Sequence, residues 1–255
     1  MFPIFQSGYR VNYSTETALV KLTNDLFLNT TLGSQSVVVS LDLSAAFDCI
    51  SHRKLLDRLQ DVFNVSDLAL KWLESYLINR EMFVKVCNEK SDTATITSGV
   101  PQGSVLGPLL FITYISPIEQ LIKSFNVDQI AYADDLTLYI NLSSNNVLNF
   151  SKCLEAVSDW LLFNDLLLNP DKSQCLRVGT RHQLKTCADS SMNLCGTLVP
   201  YSDTLKLLGV TFDSTLSFDK HVSLICSSAF FKSELCDISE NKLMKIQPKL
   251  LLLLL

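Results

Sequence analysis

Val37-Val38-Val39-Ser40-Leu41-Asp42-Leu43 is a β-branched run too short for a helix, it reads as a buried strand, and it closes on an acid. Downstream of it, Leu55, Leu56, Leu59 and Val62 give one apolar face to a helix over about 51–62, and Ser44 and Ser51 are each able to cap the segment after them. Ser66 is placed to cap a second helix whose apolar bulk is Leu70, Trp72, Leu73, Tyr76 and Leu77, ending near Asn79-Arg80. The period then changes. Met82 to Cys87 and Thr93 to Thr97 alternate around the polar Asn88-Glu89-Lys90-Ser91, the pattern of a hairpin. A loop with Gly99, Pro101, Gly103, Gly107 and Pro108 leads into a helix through about 122 that is apolar almost all round and so predicted to be buried. Asp128 to Tyr132 and Leu136 to Ile140 are alternating runs on either side of Ala133-Asp134-Asp135, which predicts a strand, a tight acidic turn and a strand. A helix over about 146–166 comes next, Asn169-Pro170-Asp171-Lys172 stops it, and Cys175 to Val178 is extended again. The order predicts an α+β fold: an antiparallel sheet backed by helices, with acids at its strand ends.

The 255 residues are 47% apolar and 18% charged, enough to bury a core and inconsistent with disorder as the main state. Twenty-one basic residues against 26 acidic ones leave a net charge of −5, which excludes a simple basic nucleic-acid-binding module: any polyanion must be held by a local basic groove. Eight cysteines with no CxxC pair read as reduced core thiols. No basic segment followed by an apolar one opens the chain, and outside the leucine tail no apolar run reaches the ~20 residues that span a bilayer. These features predict an intracellular protein with no membrane partner.

If the strand ending at Asp42 and the hairpin turning at Asp134 and Asp135 share a sheet, three carboxylates meet at one edge. Crowded carboxylates repel one another unless cations intervene, and Mg²⁺ binds through one or two carboxylates plus substrate phosphates. Two such ions about 3.5 to 4 Å apart serve an in-line phosphoryl displacement. One acid after a strand, or one Asp-Asp turn, is ordinarily a cap or loop residue; the combination points to nucleotidyl transfer.

Leu41-Asp42-Leu43-Ser44-Ala45-Ala46-Phe47-Asp48, Ser98-Gly99-Val100-Pro101-Gln102-Gly103-Ser104-Val105-Leu106-Gly107-Pro108 and Ala131-Tyr132-Ala133-Asp134-Asp135 resemble the three palm motifs of reverse transcriptases, most closely those of non-LTR, jockey-like retrotransposons. Gln6-Ser7-Gly8-Tyr9-Arg10 with Ser14-Thr15-Glu16 resembles the upstream fingers motif. Leu168 to Ser173 resembles the motif downstream, and Leu205 to Asp219, with Leu207-Leu208-Gly209-Val210, the primer-grip region. The resemblance spans about residues 4–222. It implies a right-hand polymerase palm with partial fingers and a thumb stub: fingers over 1–35, palm over 36–200 with an interleaved fingers segment near 63–98, primer grip over 201–222, and a degenerate thumb stub over 223–255.

The resemblance also implies roles. Asp42, Asp134 and Asp135 would hold two Mg²⁺ ions, or Mn²⁺, with the main chain beside Leu43 helping at the second. Phe47 stands at the steric gate that collides with a 2′-hydroxyl; core packing is its competing role. Gln102 and Gly103 belong to the loop under the incoming nucleotide and template, where a glycine allows close approach; a plain turn before a helix is compatible with both readings. Lys172 falls near the pyrophosphate leaving group and Arg10 near the triphosphate, each against the alternative of a solvated cation. Leu208 and Gly209 would position the primer end. The implied partners are an RNA template, a DNA primer and deoxynucleoside triphosphates.

Relatives carry more fingers sequence before the Gln6 region and a longer thumb, so the resemblance implies a chain truncated at both ends. No segment resembles an endonuclease, so target cleavage would come from another polypeptide. Ser51 stands before His52 where many relatives have an acid. Two functions remain open on this reading: RNA-directed DNA synthesis, or a noncatalytic remnant that binds nucleic acid or serves a structural role.

Overall fold

The computed structural model describes residues 4–142, 146–185 and 190–240, with side chains as far as Phe231. Its elements are, in order, α1 (Thr15–Thr31), β1 (Ser36–Leu41), β2 (Leu43–Ser44), α2 (His52–Asp61), α3 (Asp67–Leu77), β3 (Arg80–Met82), β4 (Lys85–Val86), β5 (Glu89–Lys90), β6 (Ala94–Ile96), α4 (Gly107–Ile115), α5 (Ile118–Ser124), β7 (Asp128–Tyr132) and β8 (Asp135–Asn141). After these come α6 (Asn146–Phe163), β9 (Leu167–Leu168), β10 (Gln174–Val178), α7 (Arg181–Lys185), β11 (Ser191–Leu194), β12 (Thr197–Ser202), β13 (Thr204–Leu207), β14 (Val210–Asp213) and α8 (Asp219–Glu240).

The Val37–Leu41 run is the middle of the molecule. Six strands form one sheet in the order β11-β12-β10-β1-β8-β7. β1 is antiparallel to both neighbours, with Val39 facing Cys175 on one side and Leu138 on the other. Period-2 alternation sends Val37, Val39 and Leu41 to one face and Val38 to the other, and both faces are covered. That is why β1 is continuously apolar instead of alternating. The first face packs on a core that includes Phe111 and Tyr114 of α4, Ile118 and Ile122 of α5, and Leu154, Val157 and Leu161 of α6. The second packs on Leu19, Leu22 and Leu26 of α1 and on the β13–β14 hairpin through Leu205, Leu207 and Phe212.

The sheet is therefore helix-backed as expected, but it is mixed: β12 joins β10 in parallel after the chain crosses over through α7 and β11. Such a pair needs a crossover connection rather than a hairpin.

Several elements differ from their sequence expectation. α1 precedes the first predicted strand; it starts at a capping box in which Thr17 N–H donates to Ser14 Oγ (3.3 Å) and Ser14 N–H donates to Thr17 Oγ1 (2.9 Å). The helix predicted through 122 breaks into α4 and α5 at Ser116-Pro117, where proline has no N–H to continue the ladder. α3 stops at Leu77, which is its one fully buried residue, while Trp72 is 58% exposed. Ser51 does cap α2, accepting from Lys54 N–H at 3.5 Å, but Ser44 lies in a short strand and caps nothing. Ser66 Oγ donates to the Asp67 carboxylate and accepts no N–H of the helix. The expected hairpin exists as two nested pairs, β3 with β6 and β4 with β5.

Among the described residues the cysteines are free, yet only Cys153 and Cys175 are core thiols, pushed up to about 12 by burial; Cys87, Cys195 and Cys226 are exposed. Cys187 and the side chain of Cys236 lie outside the described residues, as does the leucine tail. Among the described residues no helix is long and apolar enough to cross a membrane.

Candidate active site

Register brings the three acids together. β1 pairs with β8 so that Ser40 faces Thr137 and Leu41 faces Leu136, where the ladder ends; Asp42 and Asp135 are the next residue on each side, close enough for their charges to interact. β8 pairs with β7 through Tyr132 and Asp135, which leaves Ala133 and Asp134 as a two-residue turn. Opposed residues share a face of the sheet. Ser40 from β1 therefore sides with Asp135 and Thr137 from β8, on the face covered by the β13–β14 hairpin, and Asp42 follows β1 directly.

The electrostatics agree with the register. Partial desolvation raises the Asp135 carboxyl above the ordinary range, and the charges of Asp134 and Asp42 add to the rise. Asp134 and Asp135 are exposed and Asp42 is half-buried, so the trio stands at a mouth open to solvent with desolvation on its inner side. Among the described residues no three His, Cys, Asp or Glu side chains are already grouped to hold a metal ion. The donor set nonetheless fits Mg²⁺ in kind: mutually repelling hard oxygens with positions left for substrate phosphate.

Asp42 is held by the segment downstream of α6. Its N–H donates to Ser173 Oγ at 3.2 Å, and its carbonyl accepts from Asn169 N–H at 2.9 Å. Ser173 is buried and donates in turn to the Asn169 carbonyl at 2.7 Å. Asn169-Pro170-Asp171-Lys172-Ser173 is thus a turn pinned to the Asp42 backbone, and Lys172 within it is exposed. The β2–β9 pair, Leu43 with Leu168, closes the same junction.

Phe47 and the Gln102-Gly103 loop form one unit. Val100 N–H donates to the Phe47 carbonyl (2.9 Å), Gly99 N–H to that of Ile50 (2.7 Å), and Gln102 Nε2 to Asp48 Oδ1 (3.0 Å). His52 Nε2 meets the Gly99 carbonyl at 2.7 Å, which ties α2 to the loop. Gly99, at φ +85°, has no room for a side chain: a Cβ there would meet Asp48 O at 2.8 Å. Gly103, at φ +78°, has open space around it, so nothing in the protein crowds it and its requirement is conformational. The Phe47 ring is half-buried and stacks on Phe111 with centroids 4.8 Å apart, so it packs on the core without being closed off from solvent.

Leu208 (φ +47°) and Gly209 (φ +90°) are the two central residues of the β13–β14 turn, both left-handed as a type I′ hairpin requires. Leu208 lines a cavity of about 40 Å³ together with Ser40, Tyr132, Asp135 and Lys206, which puts the hairpin tip beside the acids. A larger cavity of about 660 Å³ between α2, α3 and β6 contains none of the three aspartates; here the carboxylates mark the site and concavity does not.

Arg10 is drawn elsewhere. Its guanidinium donates to the carbonyls of Ile4 (3.2 Å) and Gln6 (3.0 Å) and stacks over Tyr13 at 4.1 Å. Asn169 and Ser173 lie in the Leu168–Ser173 motif, but sequence reasoning assigns them no role; the structure shows them holding the Asp42 backbone. Their one local signal is the Asn-Pro-Asp-Lys stop, and only pairing of distant strands shows that it grips Asp42.

The family model described as reverse transcriptase (RNA-dependent DNA polymerase) matches residues 1–212. The chain is 29% identical to the RNA-directed DNA polymerase from mobile element jockey of Drosophila melanogaster, over 88% of this chain and 24% of that protein. It is 28% identical to a probable RNA-directed DNA polymerase from transposon BS of the same organism, over 87% and 25%. The chain thus spans about a quarter of the length of these curated relatives. Telomerase from Candida tropicalis, solved with a fragment of telomeric RNA, superposes with a TM-score of 0.59 at 14% identity, over 82% of this chain and 33% of that one. That likeness is one of fold.

Proposed function

The chain belongs to the reverse transcriptase family, and from that membership we propose that it is an RNA-directed DNA polymerase domain that adds deoxynucleotides to a primer 3′-hydroxyl on an RNA template. One observation carries the reading: strand register sets Asp42 beside Asp135 at the end of the β1–β8 ladder, with Asp134 in the adjoining turn.

Divalent-metal dependence goes with the family, and in our reading Asp42, Asp134 and Asp135 hold two Mg²⁺ ions, which Mn²⁺ can replace. When bound, such ions lower the pKa of the attacking hydroxyl and neutralise the leaving oxygen of an in-line displacement. The chain's own groups do the rest. The Ser173 and Asn169 contacts fix the Asp42 backbone. Phe47 crowds a 2′-hydroxyl while Phe111 backs its ring. The Gln102-Gly103 loop, braced on Asp48, supports the nucleotide and template. Lys172 neutralises pyrophosphate, and Leu208 and Gly209 seat the primer end. Arg10 reaches the triphosphate only by leaving the Ile4 and Gln6 carbonyls. The palm over 36–200 and the grip over 201–222 would then work as one unit, with 1–35 as fingers and α8 as the start of a thumb. The noncatalytic alternative is not favoured: the family match covers all three acids.

Primer extension on an RNA template with Mg²⁺ or Mn²⁺ tests this. Extension by the wild type that Asp134→Asn abolishes is the expected result; folded wild-type protein that extends nothing with either metal overturns it.

A further inference from the structure

The acidic turn is not held by its own hairpin. The β7–β8 ladder closes at Tyr132 and Asp135, so Ala133 has no partner within it, and Ala133 sits at φ +57°, a left-handed conformation disfavoured for a residue with a Cβ. Both of its backbone groups are satisfied from the other end of the chain. Gln6, 2% exposed, donates from Nε2 to the Ala133 carbonyl at 3.1 Å and accepts the Ala133 N–H on Oε1 at 2.9 Å. The same Oε1 accepts Gly8 N–H at 2.8 Å, which fixes the orientation of the amide, since two N–H groups converge on its oxygen.

The main chain around Gln6 is seated on the free edge of β7. Ser7 N–H donates to the Ala131 carbonyl at 2.8 Å, and Ala131 N–H donates to that of Phe5 at 3.0 Å, a short parallel extension of the sheet. Gly8 has no alternative there, because a Cβ would lie 2.6 Å from Ala133 N. The Arg10 contacts to the Ile4 and Gln6 carbonyls brace the segment from outside.

We infer that Gln6 is a positioning residue: its side-chain amide clamps both backbone groups of Ala133 and thereby sets where the Asp134 and Asp135 carboxylates stand. Its consequence for catalysis rests on the polymerase reading; the clamp itself does not. Glutamine is required because one planar group must supply a donor and an acceptor. Glutamate has the shape and the acceptor but no donor when ionised, and it would add a charge beside two acids.

The test uses the full chain with Gln6→Ala, Gln6→Glu and Gly8→Ala. Hydrogen exchange resolved to peptides should show residues 131–137 opening about fivefold faster or more in each variant, fivefold being the factor that one lost net hydrogen bond gives, while residues 36–41 and 174–178 exchange as in the wild type. Mn²⁺ titration followed by electron paramagnetic resonance should show weaker binding in the variants, and where extension is measured, kcat should fall while KM for the nucleotide holds. Wild-type exchange at 131–137 in Gln6→Ala overturns the clamp, and so does faster exchange spread evenly over the sheet. A wild type that never extends a primer, with exchange still dependent on Gln6, overturns the polymerase reading and leaves the clamp standing.

Discussion

Replacing Asp135 with asparagine should make the metal-free protein more stable at neutral pH, although it removes a central residue of the site. Register brings Asp42 beside Asp135, and cross-strand neighbours have Cβ atoms about 5 Å apart. Two unit charges at that spacing repel by about 0.8 kcal/mol in water and about 3 kcal/mol at an effective dielectric of 20. Asp135 is open to solvent on one side, so screening keeps the net gain near the lower figure, on the order of 0.5–1 kcal/mol. For a chain of this size that amounts to a rise in Tm of about 1–3 °C.

The pH dependence has a definite sign. Desolvation, then Asp134 and Asp42, raise the folded pKa of Asp135, so the folded state binds the proton more tightly than the unfolded one. The penalty is absent below the ordinary aspartate pKa, grows as pH rises from there to the raised value, and is complete above it. Thermal unfolding in EDTA at pH 7.5 and near pH 4 measures it: the variant's advantage should be complete at the first and reduced at the second. Mg²⁺ should raise the Tm of the wild type more than that of Asp135→Asn. A variant less stable than the wild type at pH 7.5 in EDTA, or equally stabilised by Mg²⁺, would refute the claim that these carboxylates are crowded.

The loops around the acids give three further outcomes. Phe47→Val should raise ribonucleotide incorporation relative to deoxynucleotide and, by removing the stack on Phe111, cost about 1–2 kcal/mol in denaturant unfolding; an unchanged incorporation ratio in an active enzyme would reject the gate. Gly99→Ala should destabilise by about 2 kcal/mol or more, because the added Cβ meets the Asp48 backbone at a positive φ, whereas Gly103→Ala, with open space around it, should cost about 1 kcal/mol. Lys172→Ala should slow single-turnover phosphoryl transfer without a matching loss of primer affinity in a binding titration; equal losses would assign the lysine to general electrostatics.

Much of the site is legible in order and none of it in space. The Val37–Leu41 strand and the hairpin around Ala133-Asp134-Asp135 can be recognised because β-branched runs and a tight acidic turn are local signals, although Asp135, expected in the turn, opens β8 instead. α1 also carries local signals: Ser14 and Thr17 form its capping box, and Ala18, Leu19, Leu22 and Leu26 make its buried stripe. The break at Pro117 is written plainly in the chain, since a proline inside an apolar helical pattern stops α4 there. The exposed cysteines are not legible, because nothing in a scattered thiol's neighbours along the chain says which strand face it will occupy.

Composition, periodicity and motif order determined that this chain builds a helix-backed sheet carrying acids at the ends of particular strands, since burial of apolar side chains depends on spacing along a few residues. Only the tertiary structure decided that β12 lies parallel to β10, that Ser173 and Asn169 grip Asp42, that Arg10 folds back on the Ile4 and Gln6 carbonyls, and that the Gln6 amide holds Ala133 in the turn before Asp135. Those outcomes are hydrogen bonds whose partners lie anywhere from a turn to more than a hundred positions apart, and register and loop closure select such partners, not the identity of either residue alone.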